Sequence, residues 1–273
     1  MEYLTLNNGV KMPLLGLGTF LADGDTGQKA VITALDIGYR HIDTAAEYGN
    51  EKQVGQAIAD SSVARDEIFL VTKLWNEDMR NGTFTTAFEE SLNRLGVDYI
   101  DMYLLHWPAG DYVAAWQVLE KIYKSGKTRA IGVCNFQPHH IEDLRKVWSV
   151  VPVVNQIELH PELTQEPLRN FCNKLGIAVT AYSPLGGPKQ AGRMMDNPLF
   201  SDIAQKYNKT AAQIVLRWGL DIGVAVIPKS ANPARIAQNI DIFDFKLGKE
   251  DIAAIDALNI DRRVGYDPDN FNF

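Results

Sequence analysis

Residues 99–134, YIDMYLLHWPAGDYVAAWQVLEKIYKSGKTRAIGVC, contain a strand, a helix and a second strand in succession. The segments Tyr99–Leu105 and Ala130–Cys134 lack regular polar alternation, as is typical of parallel strands that are buried on both faces. Between them, Val113–Tyr123 carries apolar residues at helical spacing. This order predicts a βαβ unit, in which a right-handed crossover helix joins two parallel strands.

The same alternation runs along the rest of the chain. Further strands are predicted over Ile68–Thr72, Val151–Ile157, Ile177–Tyr182 and Val224–Ile227, and further helices over Gly27–Leu35, Thr83–Leu95, His139–Val147, Glu166–Leu175 and Ala211–Leu220. In all, eight strands are predicted to end near Gly18, Asp43, Lys73, His106, Cys134, Gln156, Tyr182 and Pro228. Eight strand–helix units predict an α/β fold, the (β/α)₈ TIM barrel.

Both ends of the chain lie outside this repeat. Tyr3–Leu6 and Val10–Met12, joined by Asn7-Asn8-Gly9, predict a β-hairpin with an Asn-Gly turn, which we expect to plug the bottom of the barrel. Residues 261–273 are predicted to form a short C-terminal tail near the site. Without the hairpin and the tail, the chain is close to the ~250 residues typical of one barrel, so residues 1–273 are predicted to form a single domain.

Composition excludes several classes of protein. The 273 residues are 46 % hydrophobic and 22 % charged, as in globular proteins with a sizeable core, and not as in disordered chains. A net charge of −7 argues against a nucleic-acid partner. The two cysteines, Cys134 and Cys172, have no zinc-ligand spacing, so no metal is predicted. With no visible signal peptide or membrane-spanning stretch, a cytoplasmic protein is expected.

Polar and ionisable side chains follow most of the predicted strands. They are Asp43, Lys73, His106, Asn135, Gln156, Tyr182 and Lys229. Active sites of such barrels lie at the carboxyl ends of the strands, where these residues are expected to meet. An aspartate there is often a helix cap and a lone histidine is often a satisfied core residue, but their joint placement favours a site.

Tyr48, five residues after Asp43, suggests the chemistry of that site. A phenol has a reference pKa of ~10, and a nearby ammonium such as that of Lys73 lowers it. A buried lysine needs a counter-charge, which Asp43 can supply. The imidazole of His106 can orient a carbonyl oxygen. Together these groups form an acid that protonates an alkoxide as hydride arrives.

Three stretches carry a resemblance to a known family. Residues 38–45, GYRHIDTA, with Glu51 and Gly55, residues 127–136, KTRAIGVCNF, and residues 227–230, IPKS, with Arg235 and Asn239, resemble the signatures of aldo-keto reductases in the family's order. The tail resembles that of bacterial 2,5-diketo-D-gluconate reductases. The resemblance implies that Tyr48 is the general acid/base, that Lys73 and Asp43 tune it, that His106 orients the substrate, and that the protein is a monomer.

A nicotinamide cofactor is expected to bind across the barrel mouth. Gly16-Leu17-Gly18 is only a fragment of the Rossmann fingerprint, so no Rossmann domain is indicated. Asn135 and Gln156 can hydrogen-bond a carboxamide, unless they serve as turn or cap residues, and Tyr182 can stack on the nicotinamide ring. Ser183 and Leu185 belong to the glycine-containing loop 183–188, which is expected to cross a pyrophosphate. In all, the candidate cofactor residues are Gly18, Thr19, Asn135, Gln156, Tyr182, Ser183, Leu185, Lys229, Ser230, Arg235 and Asn239.

Lys229, Ser230 and Arg235 indicate NADPH rather than NADH. They surround a helix start marked by Asn232-Pro233, and a helix N-terminus with lysine and arginine is a phosphate site, here for the 2′-phosphate. Asn239 resembles the family's adenine-binding position. Cys134 stands where many relatives have serine, and a thiol is the weaker donor to a carboxamide.

By resemblance, Phe20, Trp75 and Trp107 wall the substrate pocket, although such aromatic residues also serve as plain core packing. We expect NADPH-dependent reduction of a small aldehyde, ketone or keto-sugar, 2,5-diketogluconate-like, with no nucleic-acid or membrane partner. Two alternatives stay open. One is a barrel enzyme such as a sugar-phosphate isomerase or aldolase, with Lys73 as Schiff-base amine, and the other is a cofactor-holding binding module without turnover.

Overall fold

The computed structural model describes the side chains of residues 1–187 and 192–273. Over the residues that it describes, it contains ten strands and twelve α-helices. The strands are β1 (Tyr3–Thr5), β2 (Lys11–Pro13), β3 (Leu17–Gly18), β4 (His41–Asp43), β5 (Phe69–Leu74), β6 (Met102–Leu105), β7 (Ile131–Cys134), β8 (Val154–Glu158), β9 (Ala178–Tyr182) and β10 (Ala225–Val226). The helices are α1 (Gly24–Asp36), α2 (Glu51–Asp60), α3 (Asn76–Asn81), α4 (Phe84–Leu95), α5 (Tyr112–Lys124), α6 (Pro138–Arg145), α7 (Glu166–Lys174), α8 (Gly187–Met195), α9 (Pro198–Tyr207), α10 (Ala211–Asp221), α11 (Pro233–Ile240) and α12 (Lys249–Asp256).

Strands β3 to β10 form one parallel sheet in chain order, and the sheet closes on itself. Leu15 pairs with Val226 and Gly18 with Lys229, so the first strand meets the last. A Cβ on Gly18 would lie 2.8 Å from the main-chain oxygen of Ile227, so only glycine allows this approach. The predicted (β/α)₈ barrel is therefore confirmed.

Apolar side chains fill both sides of the barrel wall. Inside lie residues such as Met12, Val71, Met102 and Leu104, and a larger cluster fills the space between the strands and the surrounding helices. Among the described residues, no helix combines the length and apolar character needed to cross a membrane.

Several predicted boundaries differ from the structure. Strand β5 continues to Leu74, so Lys73 lies within the strand and not after it. Strand β6 begins only at Met102, and the buried carboxylate of Asp101, just before it, binds the guanidinium groups of Arg65 and Arg129. Helices α2, α3, α8, α9 and α12 were not predicted.

The N-terminal hairpin covers the end of the barrel opposite the candidate site. Strands β1 and β2 pair antiparallel, as predicted. The Asn7 amide donates to the main-chain oxygens of Pro152 (3.0 Å) and Gly176 (3.1 Å), and Asn8 donates to that of Arg129 (3.1 Å). These three oxygens precede β8, β9 and β7, so the hairpin is fixed to the amino ends of the strands.

Candidate active site

A buried ion pair joins two neighbouring strands at their carboxyl ends. The ammonium of Lys73, in β5, lies 2.6 Å from Oδ1 of Asp43, the last residue of β4. It also donates to the main-chain oxygen of Thr44 at 2.8 Å. Both side chains are almost fully buried, so each charge depends on the other for stabilisation.

Tyr48 stands next to this ion pair. It ends a short 3₁₀ turn, Ala46–Tyr48, and the Lys73 ammonium lies 5.2 Å from the centre of its ring. Burial raises the pKa of Tyr48 to about 12, although the Lys73 charge opposes the rise. Burial alone would lower the pKa of Lys73, but Asp43 and Tyr48 outweigh it and hold this pKa above its usual range. At neutral pH the phenol is protonated and the ammonium charged.

His106 completes the group. It follows β6, and its ring centre lies 5.7 Å from that of Tyr48 and 5.1 Å from that of Trp75. Burial, with the nearby Lys73 charge, lowers the pKa of His106 well below its usual value, so the ring is neutral. Its Nδ1 is buried without a hydrogen-bond partner among the described residues. The structure thus brings together all four predicted catalytic residues, Asp43, Tyr48, Lys73 and His106.

Two side-chain amides lie beside these residues. The Gln156 amide nitrogen donates to Oδ2 of Asp43 at 2.6 Å. Asn135 donates to the main-chain oxygen of His106 at 3.1 Å and accepts from the hydroxyl of Tyr182 at 2.7 Å. The sequence did not reveal these contacts, because they join residues from different strands.

The conformation of Asn135 and the position of Cys134 complete this layer. Asn135 has a φ of +66°, a left-handed conformation that asparagine tolerates better than most residues. The Cys134 sulfur lies 3.3 Å from Nδ2 of Asn135 and 3.8 Å from Oε1 of Gln156. Burial raises the pKa of the Cys134 thiol, which is therefore neutral beside the two amides.

The loops on either side of these amides contain four further predicted cofactor residues. The Thr19 hydroxyl donates to the main-chain oxygen of Asp43 at 3.0 Å, and Gly18 serves the closure of the barrel. In the loop after β9, Ser183 and Gly186 have positive φ angles of 49° and 88°, and Leu185 packs on the outer core. Pro188, the last residue of the predicted loop 183–188, lies outside the residues whose side chains are described.

The corner between β10 and α11 is a cationic helix start. Asn232 caps α11 by accepting from the main-chain N–H of Arg235 at 3.1 Å, as predicted. Ser230 accepts from the main-chain N–H of Asn232 at 3.1 Å. The exposed side chains of Lys229 and Arg235 have no ion pair among the described residues, and Asn239 is buried one turn further along the helix. Free cations at a capped helix N-terminus fit a phosphate group.

Aromatic rings surround the access to Tyr48. Phe20 is 50 % exposed, and its ring centre lies 5.1 Å from that of Tyr48. Trp75 stacks on Phe273 at 5.8 Å. Trp107 is buried against Phe271 and Phe273, at 5.0 and 5.3 Å, so its indole contacts the C-terminal tail.

The tail is anchored at two places that sequence reasoning missed. The buried carboxylate of Glu158, at the end of β8, accepts from the main-chain N–H groups of Val264 (2.6 Å) and Gly265 (2.9 Å). The side chains of Asn76 and Arg80 donate to the main-chain oxygen of Phe273. The available signal was the pair of phenylalanines in the otherwise polar end DPDNFNF.

Comparison with known proteins places the chain in a family. Residues 14–260 match the model of the Aldo/keto reductase family. The chain is 52 % identical to a glyoxal reductase of Bacillus subtilis over all of this chain and 98 % of that protein. It is 47 % identical to the methylglyoxal reductase DkgA of Yersinia pestis, over 98 % and 96 %.

A solved structure agrees with these matches. An aldo-keto reductase of Bombyx mori in complex with NADP superposes with a TM-score of 0.91 at 42 % identity, over 98 % of this chain and 96 % of that one. Barrel, site geometry and sequence similarity agree, and the chain belongs to the aldo/keto reductase family.

Proposed function

We propose that this aldo-keto reductase uses NADPH to reduce small aldehydes, with 2-oxoaldehydes such as methylglyoxal as the preferred class. The observation that carries the reaction is the buried Lys73–Asp43 ion pair, with a protonated Tyr48 next to it and a neutral His106 opposite. This is a positioned acid with a charged partner, and it faces an opening lined by aromatic rings.

The residues present fit NADPH. Lys229 and Arg235, which have no ion pair among the residues whose side chains are described, offer cations at a helix N-terminus for the 2′-phosphate, with Ser230 and Asn239 beside them. Gln156 contacts Asp43, and Asn135 contacts Tyr182 and the main chain of His106, so these three side chains would hold the nicotinamide end. Gly18, Thr19, Ser183 and Leu185 would flank the path between the two ends. When bound, NADPH supplies a hydride to the carbonyl carbon.

The protein's own part is orientation and proton transfer. The neutral His106 donates a hydrogen bond that holds the carbonyl oxygen near the phenol. As negative charge develops on that oxygen, Tyr48 gives it the phenolic proton. The Lys73 ammonium stabilises the phenolate that remains, and Asp43 keeps this ammonium charged although it is buried.

The aromatic residues around Tyr48 and His106 favour a small and uncharged carbonyl compound. Phe20 contacts the ring of Tyr48, Trp75 contacts that of His106, and the tail ring Phe273 stacks on Trp75, so these side chains offer aromatic surface to a substrate. Two similar proteins are named for glyoxal and methylglyoxal. A keto-sugar such as 2,5-diketogluconate must desolvate many polar groups against these rings, so we rank it below methylglyoxal as a substrate.

The test is a comparison of kcat/KM for NADPH oxidation with methylglyoxal, glyoxal, 2,5-diketogluconate and an aldose. We expect methylglyoxal to be the best substrate, and the Tyr48→Phe variant to lose ~10²-fold or more in kcat. Wild-type rates in Tyr48→Phe would exclude the phenol as acid, and a preference for 2,5-diketogluconate would reverse the substrate order.

The 2′-phosphate assignment has its own test. Arg235→Ala and Lys229→Ala should raise KM for NADPH much more than KM for NADH. Lys249→Ala removes an exposed lysine from the start of another helix, α12, and should change neither constant. Equal effects of the Arg235 variant on both cofactors would contradict the assignment.

The structure disfavours the first alternative raised by the sequence, a barrel enzyme with Lys73 as Schiff-base amine. A Schiff-base lysine must be deprotonated, whereas the Lys73 ammonium is held by two acceptors at 2.6 and 2.8 Å and its pKa is raised. Borohydride should therefore trap no substrate on Lys73. A binding module would hold NADPH without turnover, which the rate measurements above distinguish directly.

A further inference from the structure

Two histidines and an aspartate meet beside the C-terminal tail, away from the catalytic group. His139 and His140 lie in the first turn of helix α6, and Asp269 belongs to the tail. Oδ1 of Asp269 lies 3.2 Å from Nε2 of His139 and 3.6 Å from Nε2 of His140. The three ligand atoms lie within 4.8 Å of one another.

The two separations from Asp269 to the histidines are close to those between ligands of one metal ion. Imidazole nitrogens and carboxylate oxygens bind Zn²⁺ at about 2.0–2.2 Å, so neighbouring ligand atoms around the ion are about 3–3.5 Å apart. The two measured separations need only small adjustments to reach that range. Imidazole with carboxylate is a ligand set taken by Zn²⁺, Ni²⁺ and Cu²⁺ and less readily by Mg²⁺.

We propose that His139, His140 and Asp269 form a binding site for a divalent transition-metal ion such as Zn²⁺, and that the ion fixes the tail to helix α6. The proposal does not depend on the substrate or cofactor assigned above. It also departs from the sequence prediction of no metal, since Asp269 is remote from the histidines in the chain and only the fold brings them together.

The surroundings leave room for the ion and its water ligands. The three residues line a cavity of about 430 Å³, together with Arg80, Pro108 and Phe271 among others. The guanidinium of Arg80 already donates to the main-chain oxygen of Phe273.

His140 is the most constrained of the three ligands. Burial, together with the neighbouring His139, lowers the pKa of His140 to about 4, so the ring is neutral. Its Nδ1 accepts from the main-chain N–H of Gln137 at 3.1 Å, which places the ring proton on Nε2. A metal ion at Nε2 must displace that proton to Nδ1 and break this cap, so we expect micromolar rather than nanomolar affinity.

Occupancy of the site has a structural consequence. Asp269 precedes Phe271 by two residues, and Phe271 packs on Trp107 at 5.0 Å. An ion that holds Asp269 therefore restrains the segment that carries Phe271 and Phe273 over the aromatic opening.

The experiment is calorimetric titration of the chelator-treated full-length protein with ZnCl₂ and, separately, NiCl₂. We expect one ion per chain, and at least 10-fold weaker binding in His139→Ala and Asp269→Asn. Both residues are exposed, so these variants should fold normally. The control is Glu142→Gln, which removes a partly exposed carboxylate from the same helix and should bind like the wild type. His140 is left unchanged because it caps the helix.

A second measurement reports on the tail. Hydrogen exchange of residues 266–273 should slow on addition of Zn²⁺ in the wild type and not in Asp269→Asn. The absence of binding, or equal binding in the wild type and both variants, would overturn the site. Binding at the site with unchanged exchange in the tail would overturn its role in fixing the tail.

Discussion

The amide nitrogen of Gln156 lies 2.6 Å from Oδ2 of Asp43, while Oδ1 of the same carboxylate binds the Lys73 ammonium at 2.6 Å. Gln156, in the middle of β8, is thus linked through Asp43 to the ion pair beside Tyr48. The sequence assigned Gln156 to the cofactor carboxamide. One of its two N–H groups is used by Asp43, so its oxygen and its second N–H remain for that role.

Gln156→Met tests this link. The change leaves Oδ2 of Asp43 buried without its donor, so we expect the free energy of unfolding to fall by about 1–3 kcal/mol. We also expect kcat to fall, because Asp43 is no longer held in place. Urea denaturation and NADPH oxidation measure the two effects. The matched control is Gln56→Met, which removes a 2.8 Å hydrogen bond to Asp60 on the surface. It should change the free energy of unfolding and kcat very little. Equal losses in both variants would contradict the link.

Lys73→Met leaves Asp43 as an uncompensated buried charge. We expect a loss of about 3–5 kcal/mol in the free energy of unfolding and a large loss of kcat. Lys127→Met breaks an ion pair of the same length, 2.6 Å to Glu89, whose side chains are about half exposed. That control should cost less than about 1 kcal/mol. Chemical denaturation should therefore separate the two variants clearly, and similar losses would argue against a structural role for the buried pair.

The pH dependence follows from the raised pKa of Tyr48, about 12. The acid stays protonated and His106 stays neutral through the neutral range, so kcat for reduction should show no inflection there. Alcohol oxidation needs the phenolate and should accelerate as pH rises. Initial rates in both directions test this, and a reduction rate that falls across neutral pH would contradict it.

The raised pKa of Tyr48 also affects the stability of the folded protein at alkaline pH. In the unfolded chain the tyrosine titrates near its usual pKa of 10.0, so the folded form binds its proton more tightly. The contribution of Tyr48 to the free energy of unfolding is therefore complete below pH 10 and is lost as pH rises towards 12. Tyr48→Phe should reduce this alkaline loss in thermal unfolding, since the phenylalanine has no proton to lose.

Glu158→Gln should loosen the tail. The carboxylate accepts from two main-chain N–H groups and lies 3.0 Å from Nε2 of His160, whereas an amide offers one oxygen and no charge. We expect a cost of about 1.5–3 kcal/mol and faster hydrogen exchange around Val264 and Gly265. Glu166→Gln, at an exposed position on α7, should leave exchange unchanged. Unaltered exchange in Glu158→Gln would show that the tail is held elsewhere.

Phe273→Ala removes the ring stacked on Trp75. We expect KM for methylglyoxal to rise several-fold with little change in kcat, because the ring offers contact area but takes no part in proton transfer. Steady-state kinetics check this. Tyr266→Ala, which removes a 62 % exposed ring that contacts Phe273 but not Trp75, should have a smaller effect. A fall in kcat at constant KM would place Phe273 in the chemistry instead.

The sequence by itself determined the barrel and its catalytic end. Eight apolar runs alternate with amphipathic segments, and this local periodicity depends only on which faces must be buried. Asp43, Lys73 and His106 were located because side chains at the carboxyl ends of parallel strands must meet. The cap at Asn232 was also correct, since capping involves residues three apart in the chain.

Only the tertiary structure decided which atoms pair. Gln156 binds Asp43 and Glu158 holds Val264 through contacts between residues about a hundred positions apart, which no local pattern encodes. The position of Phe271 and Phe273 over Trp107, and the meeting of His139 with Asp269, depend on where the tail crosses the barrel mouth. The raised pKa of Tyr48 likewise required the fold, because burial is a property of the packed chain and not of the residue.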